Sequence, residues 1–249
     1  MKLGQLVLLV SKESSYLVEV RKGKLNTQDG IFDLSKLLKK NYGGWVRTHL
    51  GKKFEIVKPN LVDILEKKAK RLPQIIMSKD VGLILTFTGI GKGSLVVDAG
   101  TGSGFLAIWL AYHVNPGKVI SYEKNKRFLR IAKENVKLVG LKNVKIKEKD
   151  ITRGIDERKV DLITLDLKDA EKAIKHAFKA LKVGGWLVVY SPYIEQVISV
   201  CKEIKKMGFS EPRVVENIVR EWKVEKYTRP YTIGILHSGF LTFTRKVER

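Results

Sequence analysis

The densest chemical signal in the 249-residue sequence is Leu95-Val-Val-Asp-Ala-Gly-Thr-Gly-Ser-Gly-Phe, where an apolar run ends in an acid, Asp98, and glycines follow at 100, 102 and 104. Glycines at alternate positions let the backbone turn tightly without Cβ clashes, and amides at the start of the following helix can meet polar groups of a ligand. A dinucleotide site is the natural competitor for such a loop. Its spacing is Gly-x-Gly-x-x-Gly, however, and the Gly-x-Gly-x-Gly found here, with Asp98 two residues ahead, favours a methyltransferase pocket.

Acids close the next strand-like runs as well. Glu123 ends Ser121-Tyr-Glu, where a carboxylate can accept both hydroxyls of a ribose, in a dinucleotide as readily as in S-adenosylmethionine. Asp150 is suited to the exocyclic amine of an adenine. Asp166, in Leu165-Asp-Leu, stands where the carboxyl ends of central strands face the substrate crevice, and it is the candidate catalytic carboxylate. Each acid alone reads as a solvated strand end or a cap; at successive strand ends together they specify an adenosine-bearing cofactor. Asp169 is the expected N-cap of a helix from Ala170. Nothing else competes for the chemistry: Cys201 is the single cysteine, and His49, His113 and His176 are isolated, so no metal site is expected.

Positioning these residues requires alternating strands and helices. Strands are expected at 94–98, 118–123, 144–149, 162–166 and 186–190, and helices at 81–87, 105–112, 126–139, 170–181 and 194–207. That alternation predicts a parallel sheet. Three closely spaced runs at 213–219, 222–227 and 239–244 leave no room for crossover helices, so the sheet should finish antiparallel. Ahead of it, short apolar runs at 6–10, 16–20 and 54–57 and frequent glycines read as a small β-rich domain over residues 1–72, closed by a helix behind the cap Asn60, with the α/β domain over 73–249.

Composition adds a partner. Lys and Arg number 48 against 26 Asp and Glu, a formal charge of +22. A thermophile surface rich in both signs does not require such an excess of one, so a polyanion, and a nucleic acid first, is expected. The lone cysteine fits a reducing cytoplasm, and no apolar run reaches the length of a membrane span.

The chain resembles the tRNA adenine-N1 methyltransferase family that modifies the T loop, a class I methyltransferase group. The resemblance rests on Gln74-Ile-Ile-Met-Ser-Lys-Asp, Asp98-Ala-Gly-Thr-Gly-Ser-Gly, Ser121-Tyr-Glu, Leu165-Asp-Leu, and Arg229-Pro followed by His237-Ser-Gly-Phe, the most specific of these elements. It implies a Rossmann-like α/β fold with a mixed seven-stranded sheet and a small N-terminal β-domain. It further implies a homotetramer that methylates adenine at position 58 of tRNA, archaeal members acting also at 57. S-adenosylmethionine would be held by Gln74, Asp98, Gly100, Thr101, Gly102, Ser103, Gly104, Phe105, Leu106, Glu123 and Asp150, with Asp166 meeting the target base and bordering the cofactor. Met77, Arg229 and His237 would stand near the substrate. Apart from the resemblance, the basic surface makes Arg47 and Lys52 candidates for RNA contact from the N-terminal domain. The sequence departs from the family at Met77-Ser78, where Tyr or His followed by Pro is usual, and at Lys168, where Pro is common. Two further readings stay open: a class I methyltransferase for another RNA, a protein or a small molecule, and a non-catalytic RNA-binding subunit on the same fold.

Overall fold

Along residues 1–70, apolar and polar side chains alternate over short runs, and the runs pair as antiparallel strands. β1 (Leu6–Val10), β2 (Ser15–Glu19), β5 (Trp45–Arg47) and β6 (Lys53–Val57) form one sheet in the order β2-β1-β6-β5, while β3 (Lys24–Thr27) and β4 (Gly30–Asp33) form a separate hairpin. In β6 the buried Phe54 and Ile56 alternate with exposed Lys53 and Glu55, as a half-buried strand demands. Phe32 and Phe54 meet edge to face, 4.9 Å between ring centroids, and pack with Val7, Leu9, Val18 and Leu37. α1 (Leu61–Lys67) follows, opened by a capping box in which the Asn60 and Asp63 side chains each accept the other's backbone N–H. The structure is a computed structural model that describes residues 1–73, 75–231 and 237–248, and the chain divides into the units Met1–Lys70 and Arg71–Arg249.

The second unit carries α2 (Ser78–Thr88), β7 (Leu95–Ala99), α3 (Phe105–Val114), β8 (Lys118–Glu123), α4 (Lys126–Val139), β9 (Val144–Glu148), β10 (Val160–Leu165), α5 (Ile174–Ala180), β11 (Leu181–Ser191), α6 (Ile194–Ile204), β12 (Arg213–Glu216), β13 (Trp222–Lys223), β14 (Arg229–Pro230) and β15 (Phe240–Arg245). Seven of its strands make one sheet in the order β12-β15-β11-β10-β7-β8-β9. Pairing is parallel from β11 through β9, whereas β15 runs antiparallel between β11 and β12. This is the class I methyltransferase fold, a mixed seven-stranded sheet flanked by helices and preceded by a small β-unit. Strand residues alternate between two cores. Val96, Val119, Leu162 and Val188 pack with α2 and α3, and Val97, Ile120, Ile163 and Val189 pack with α5 and α6.

Two expectations are corrected. Residues 222–227 do not join the main sheet: Trp222–Lys223 pairs with Arg229–Pro230 as a separate ribbon, and Trp222 and Tyr227 are exposed. An apolar run reads as a sheet strand whether its far side meets the core or not, so the sequence could not separate the two. Asp169 makes no side-chain capping bond, and a 3-10 turn over Ala170–Ala173 precedes α5. Its backbone (φ −106°, ψ 45°) departs from the extended conformation that aims a capping oxygen at the helix, and its carboxylate pairs with Lys172 instead.

Candidate active site

Chain order reverses at the centre of the sheet, where β7 has β8 on one side and β10 on the other. A crevice opens beyond the carboxyl ends of strands at such a switch point. The ends fall in the order Asp150 after β9, Glu123 of β8, the glycine turn after β7, Asp166 after β10, and Pro192 after β11, with Ser238 leading into the antiparallel β15 at the same edge. Steps of about 4.8 Å per strand lay these groups out along one line. They border a single cavity of about 950 Å³.

On one side of the switch point, Glu123 is buried, and its two carboxylate oxygens accept the backbone N–H groups of Gly102 at 3.0 Å and Asn125 at 2.8 Å. It therefore fixes the glycine turn while it faces the cavity. Asp150 Oδ1 accepts the Thr152 N–H at 3.0 Å and the Thr152 hydroxyl at 2.8 Å. The Thr152 hydroxyl, with lesser help from the Thr152 backbone and Lys124, holds the Asp150 carboxyl below its ordinary range. Gly100, Gly102 and Ser103 also line the cavity. Ser103 Oγ is buried and has no hydrogen-bond partner among the described residues, so a polar ligand atom would satisfy it.

Asp98, Thr101, Gly104, Phe105 and Leu106, expected at the cofactor, are not on the cavity wall; Asp98 and Thr101 brace the turn from beneath, and Leu106 packs into the core. Asp98 is buried and accepts the hydroxyls of Ser121 at 2.5 Å and Thr164 at 2.7 Å, while Thr101 and Ser121 share a further hydrogen bond. Burial pushes the Asp98 carboxyl up against the pull of those hydroxyls. Gly104 packs on Ala132, and Phe105 lies under the Arg71 guanidinium, 5.5 Å from its ring centroid.

On the other side stands Asp166. Its carboxyl is pushed up to about 7, first by desolvation and then by the nearby Asp98. Tyr190, one register step beyond the Leu165–Val189 pair of β10 and β11, lines the cavity. Burial raises its hydroxyl to about 12, with Asp166 and Asp80 adding to the shift. Met77, the N-cap residue of α2, reaches the cavity without making a capping bond. His237 also borders it; its ring nitrogens face Glu216 Oε1 at 2.5 Å and the Pro192 carbonyl at 3.1 Å, and the Glu216 carboxylate above all raises its pKa.

The remaining candidates lie elsewhere. Arg229 sits exposed on the β13–β14 ribbon, away from the cavity wall. Arg47 donates to the Gly51 carbonyl at 2.9 Å and lies 5.1 Å from the Trp45 ring centroid. Lys52 is held by Asp29 at 2.6 Å and Glu13 at 2.7 Å, pairing that occupies its ammonium within the N-terminal unit. Gln74 is outside the described residues. Sequence reasoning missed Tyr190, Ser238 and Arg71, all on the cavity wall. Only the position of Tyr190 at the end of an apolar run could have signalled it.

Glu123 accepts amides from both the turn and the start of α4; if the pocket takes the S-adenosylmethionine that the resemblance implies, Glu123→Gln should weaken binding of S-adenosylhomocysteine by roughly ten- to a hundredfold, the worth of one or two charge-assisted hydrogen bonds. Calorimetric titration measures it, and an unchanged dissociation constant would remove Glu123 from the site.

Known proteins are similar to this chain in sequence and fold. Residues 65–233 match the family described as tRNA methyltransferase complex GCD14 subunit. The chain is 35% identical to tRNA (adenine(57)-N(1)/adenine(58)-N(1))-methyltransferase TrmI of Methanocaldococcus jannaschii, across 96% of this chain and 94% of that protein. It is 33% identical to a tRNA (adenine(58)-N(1))-methyltransferase TrmI of Thermus thermophilus, across 98% of this chain and 97% of that protein. Among solved structures it is similar to a SAM-dependent O-methyltransferase from Thermotoga maritima, with TM-score 0.91, 36% identity and coverage of 100% and 95%. It is also similar to tRNA (m1A58) methyltransferase TrmI from Aquifex aeolicus, with TM-score 0.84, 26% identity and coverage of 100% and 99%. The match spans both the glycine turn and the strand ends that carry Glu123, Asp150 and Asp166, and the relatives align over nearly their whole length: the chain belongs to the GCD14/TrmI tRNA methyltransferase family.

Proposed function

We propose that this protein transfers a methyl group from S-adenosylmethionine to N1 of adenine in the T loop of tRNA, at position 58, with position 57 as a second target as in the name of the Methanocaldococcus relative. The observation that carries the reading is the single cavity bordered by both halves of such a site, Glu123 and Asp150 on one side and Asp166 and Tyr190 on the other. At about 950 Å³ it is at the upper end of what one small ligand fills, so a nucleoside cofactor and a base fit together.

The residues present suit the cofactor: left-handed glycines at 100 and 102, the unpartnered Ser103 hydroxyl, and carboxylates at Glu123 and Asp150. Bound there, S-adenosylmethionine supplies an electrophilic methyl group on a positively charged sulfur. Glu123 would hold the ribose diol and Asp150 the adenine amine. Adenine N1 is neutral and carries a free lone pair, so no residue need deprotonate it. Asp166 accepts a hydrogen bond from the exocyclic amine of the target base, orients N1, and stabilises the positive charge that grows on the ring. Alignment is the larger part of the work, and fixed geometry can contribute on the order of 7 to 11 kcal/mol.

N1 lies on the pairing edge, so the base must leave its contacts to enter the cavity. The net charge of +22 supports phosphate contacts that hold the RNA meanwhile. Ile218, Val219, Trp222, Val224, Tyr227 and Tyr231 are each exposed in and around the β13–β14 ribbon, and this exposed apolar area supports self-association, as a homotetramer; an enzyme acting on tRNA would work in the cytoplasm.

The description of the Thermotoga structure as an O-methyltransferase favours a second reading, methylation of an oxygen. One experiment separates the two: incubate the protein with an unmodified tRNA transcript and labelled S-adenosylmethionine, then map the modified nucleosides. N1-methyladenosine at position 58 is expected, and 2′-O-methyl products or no incorporation would overturn the reading. Transfer should also fall steeply with salt, since roughly 6 to 10 phosphate contacts lose about 10³ to 10⁵ in affinity between about 50 and 200 mM.

A further inference from the structure

Met77 and Ser238 border the cavity from distant parts of the chain, and a buried ion pair joins them behind the wall. Lys79 and Asp80 occupy the first turn of α2, and their side chains are 9% and 1% exposed. The Lys79 ammonium donates to Asp80 Oδ1 at 2.8 Å, to Ser238 Oγ at 2.7 Å and to the Asn217 carbonyl at 2.5 Å, which uses all the protons it has. Ser238 Oγ donates in turn to Asp80 Oδ2 at 3.0 Å, and the Asn217 amide donates to the Lys79 carbonyl at 2.8 Å. One ammonium thus ties α2 to the segments that follow β12 and precede β15.

The tie reaches the cavity. The Ser238 carbonyl accepts the Tyr190 hydroxyl, and the next residue, Gly239, lies so close under the Tyr190 ring that an added Cβ would stand 2.6 Å from Cζ. The place of Ser238 therefore sets the place of Tyr190, which follows Asp166 along the sheet edge. Burying two charges is a poor way to gain stability, because desolvation offsets most of their attraction. Their full mutual pairing instead selects one arrangement of three chain segments.

We propose that Lys79 and Asp80 are positioning residues for the acceptor half of the site: acting through Ser238 and Tyr190, the ion pair holds the wall against which the target base is aligned with Asp166. The proposal rests on the methyltransferase reading above, but its first measurement does not. Lys79→Met alone strands the Asp80 charge and puts folding at risk, so the test uses Lys79→Met/Asp80→Asn, which is neutral and keeps an acceptor for Ser238. Ser238→Ala, which leaves the pair and cuts the tie, is the second variant.

In both variants amide hydrogen exchange over residues 237–240 should rise about tenfold or more, with exchange across the 95–104 turn unchanged. Affinity for S-adenosylhomocysteine should stay within about twofold, while kcat for tRNA at saturating cofactor falls about ten- to a hundredfold, the usual effect of a small misalignment. Wild-type exchange at 237–240 in a folded variant overturns the proposal, and so does raised exchange with unchanged kcat, or an equal loss of cofactor affinity. Raised exchange in the variants, together with no transfer by the unsubstituted protein, supports the clamp and overturns the tRNA reading instead.

Discussion

Asp166→Asn lowers methyl transfer to tRNA by about a hundredfold or more, the usual effect of removing a group aimed at charge that develops in the transition state, and changes cofactor affinity far less. The expectation rests on where the carboxyl sits, one strand from the glycine turn at the switch point and on the cavity wall. Amide for carboxylate keeps the shape but presents an N–H group or an uncharged oxygen to the base. Transfer by the variant at the wild-type rate would end the assignment.

The same carboxyl imposes a pH dependence. Desolvation and the neighbouring Asp98 raise it from 3.8 to about 7, so in the free enzyme it is largely protonated below neutrality and cannot accept the amine hydrogen bond. Then kcat/KM, which reports the free enzyme, should rise with pH through about 7 and lose that rise in Asp166→Asn. Tyr190, a further titratable group beside it, is held near 12 and stays neutral across the range, while burial also pushes the neighbouring Asp98 carboxyl up. Stability runs the opposite way to activity. A carboxyl whose folded value lies above its unfolded one binds more protons when folded, so its contribution is complete below pH 3.8 and is lost as pH rises toward about 7. At about pH 8 the Asn variant should therefore be more stable than the parent by on the order of 2 to 4 kcal/mol, and the gain should vanish in acid. Melting temperatures at the two pH values measure it; a variant no more stable in mild alkali would show that Asp166 is ordinarily ionised.

Gly100→Ala should be the most disruptive single methyl in the site. An added Cβ would lie 1.8 Å from the Asp166 carbonyl oxygen and 2.7 Å from its carbon, at a backbone φ of +84°. Both obstacles are main chain, so no side chain can swing away. Asp166 N–H also donates to the Ala99 carbonyl at 2.8 Å, and relief would require parting the ends of β7 and β10, the strands that flank the switch point. The expected results are a stability loss of about 3 kcal/mol or more and a fall in S-adenosylhomocysteine affinity beyond about a hundredfold. Gly102→Ala is the informative comparison. Its φ is also positive at +55°, but the nearest atom to an added Cβ is the Gly100 carbonyl at 3.7 Å. It should lose cofactor affinity at a cost near the roughly 1 to 2 kcal/mol of a left-handed residue. Denaturant unfolding and calorimetric binding together decide: equal stability losses at the two positions would contradict the close approach of Gly100 to Asp166.

The cofactor half of the site was legible in the sequence because its information is local. An apolar run, a glycine turn and a helix lie within Leu95–Val114, and Glu123 and Asp150 fall at or just past the ends of the next strands in a regular alternation. Parallel strands joined by helices must bring those ends to one edge. Yet the same pattern could not tell which residues of the turn face the ligand. Asp98 and Thr101 proved to be the buried hydroxyl and carboxyl network beneath it, since a two-residue periodicity assigns a face but not what covers that face. Lys52, read as an RNA contact by type alone, is engaged by Asp29 and Glu13.

The acceptor half shows the opposite case. Lys79, Tyr190, Asn217 and Ser238 meet only because β15 returns antiparallel between β11 and β12; the spacing of the last runs foretells the antiparallel direction, but the place of β15 between those two strands is set by how the strands pack and not by any local pattern. The contacts of Lys79 span 138 and 159 residues of sequence. What the sequence determined by itself was the fold class, the glycine turn and the row of acids beyond it, because hydrophobic period and turn chemistry act over a few residues. What only the tertiary structure decided was the far wall of the cavity and the protonation of Asp166, because burial, and the approach of groups far apart in the chain, exist only once the sheet has closed.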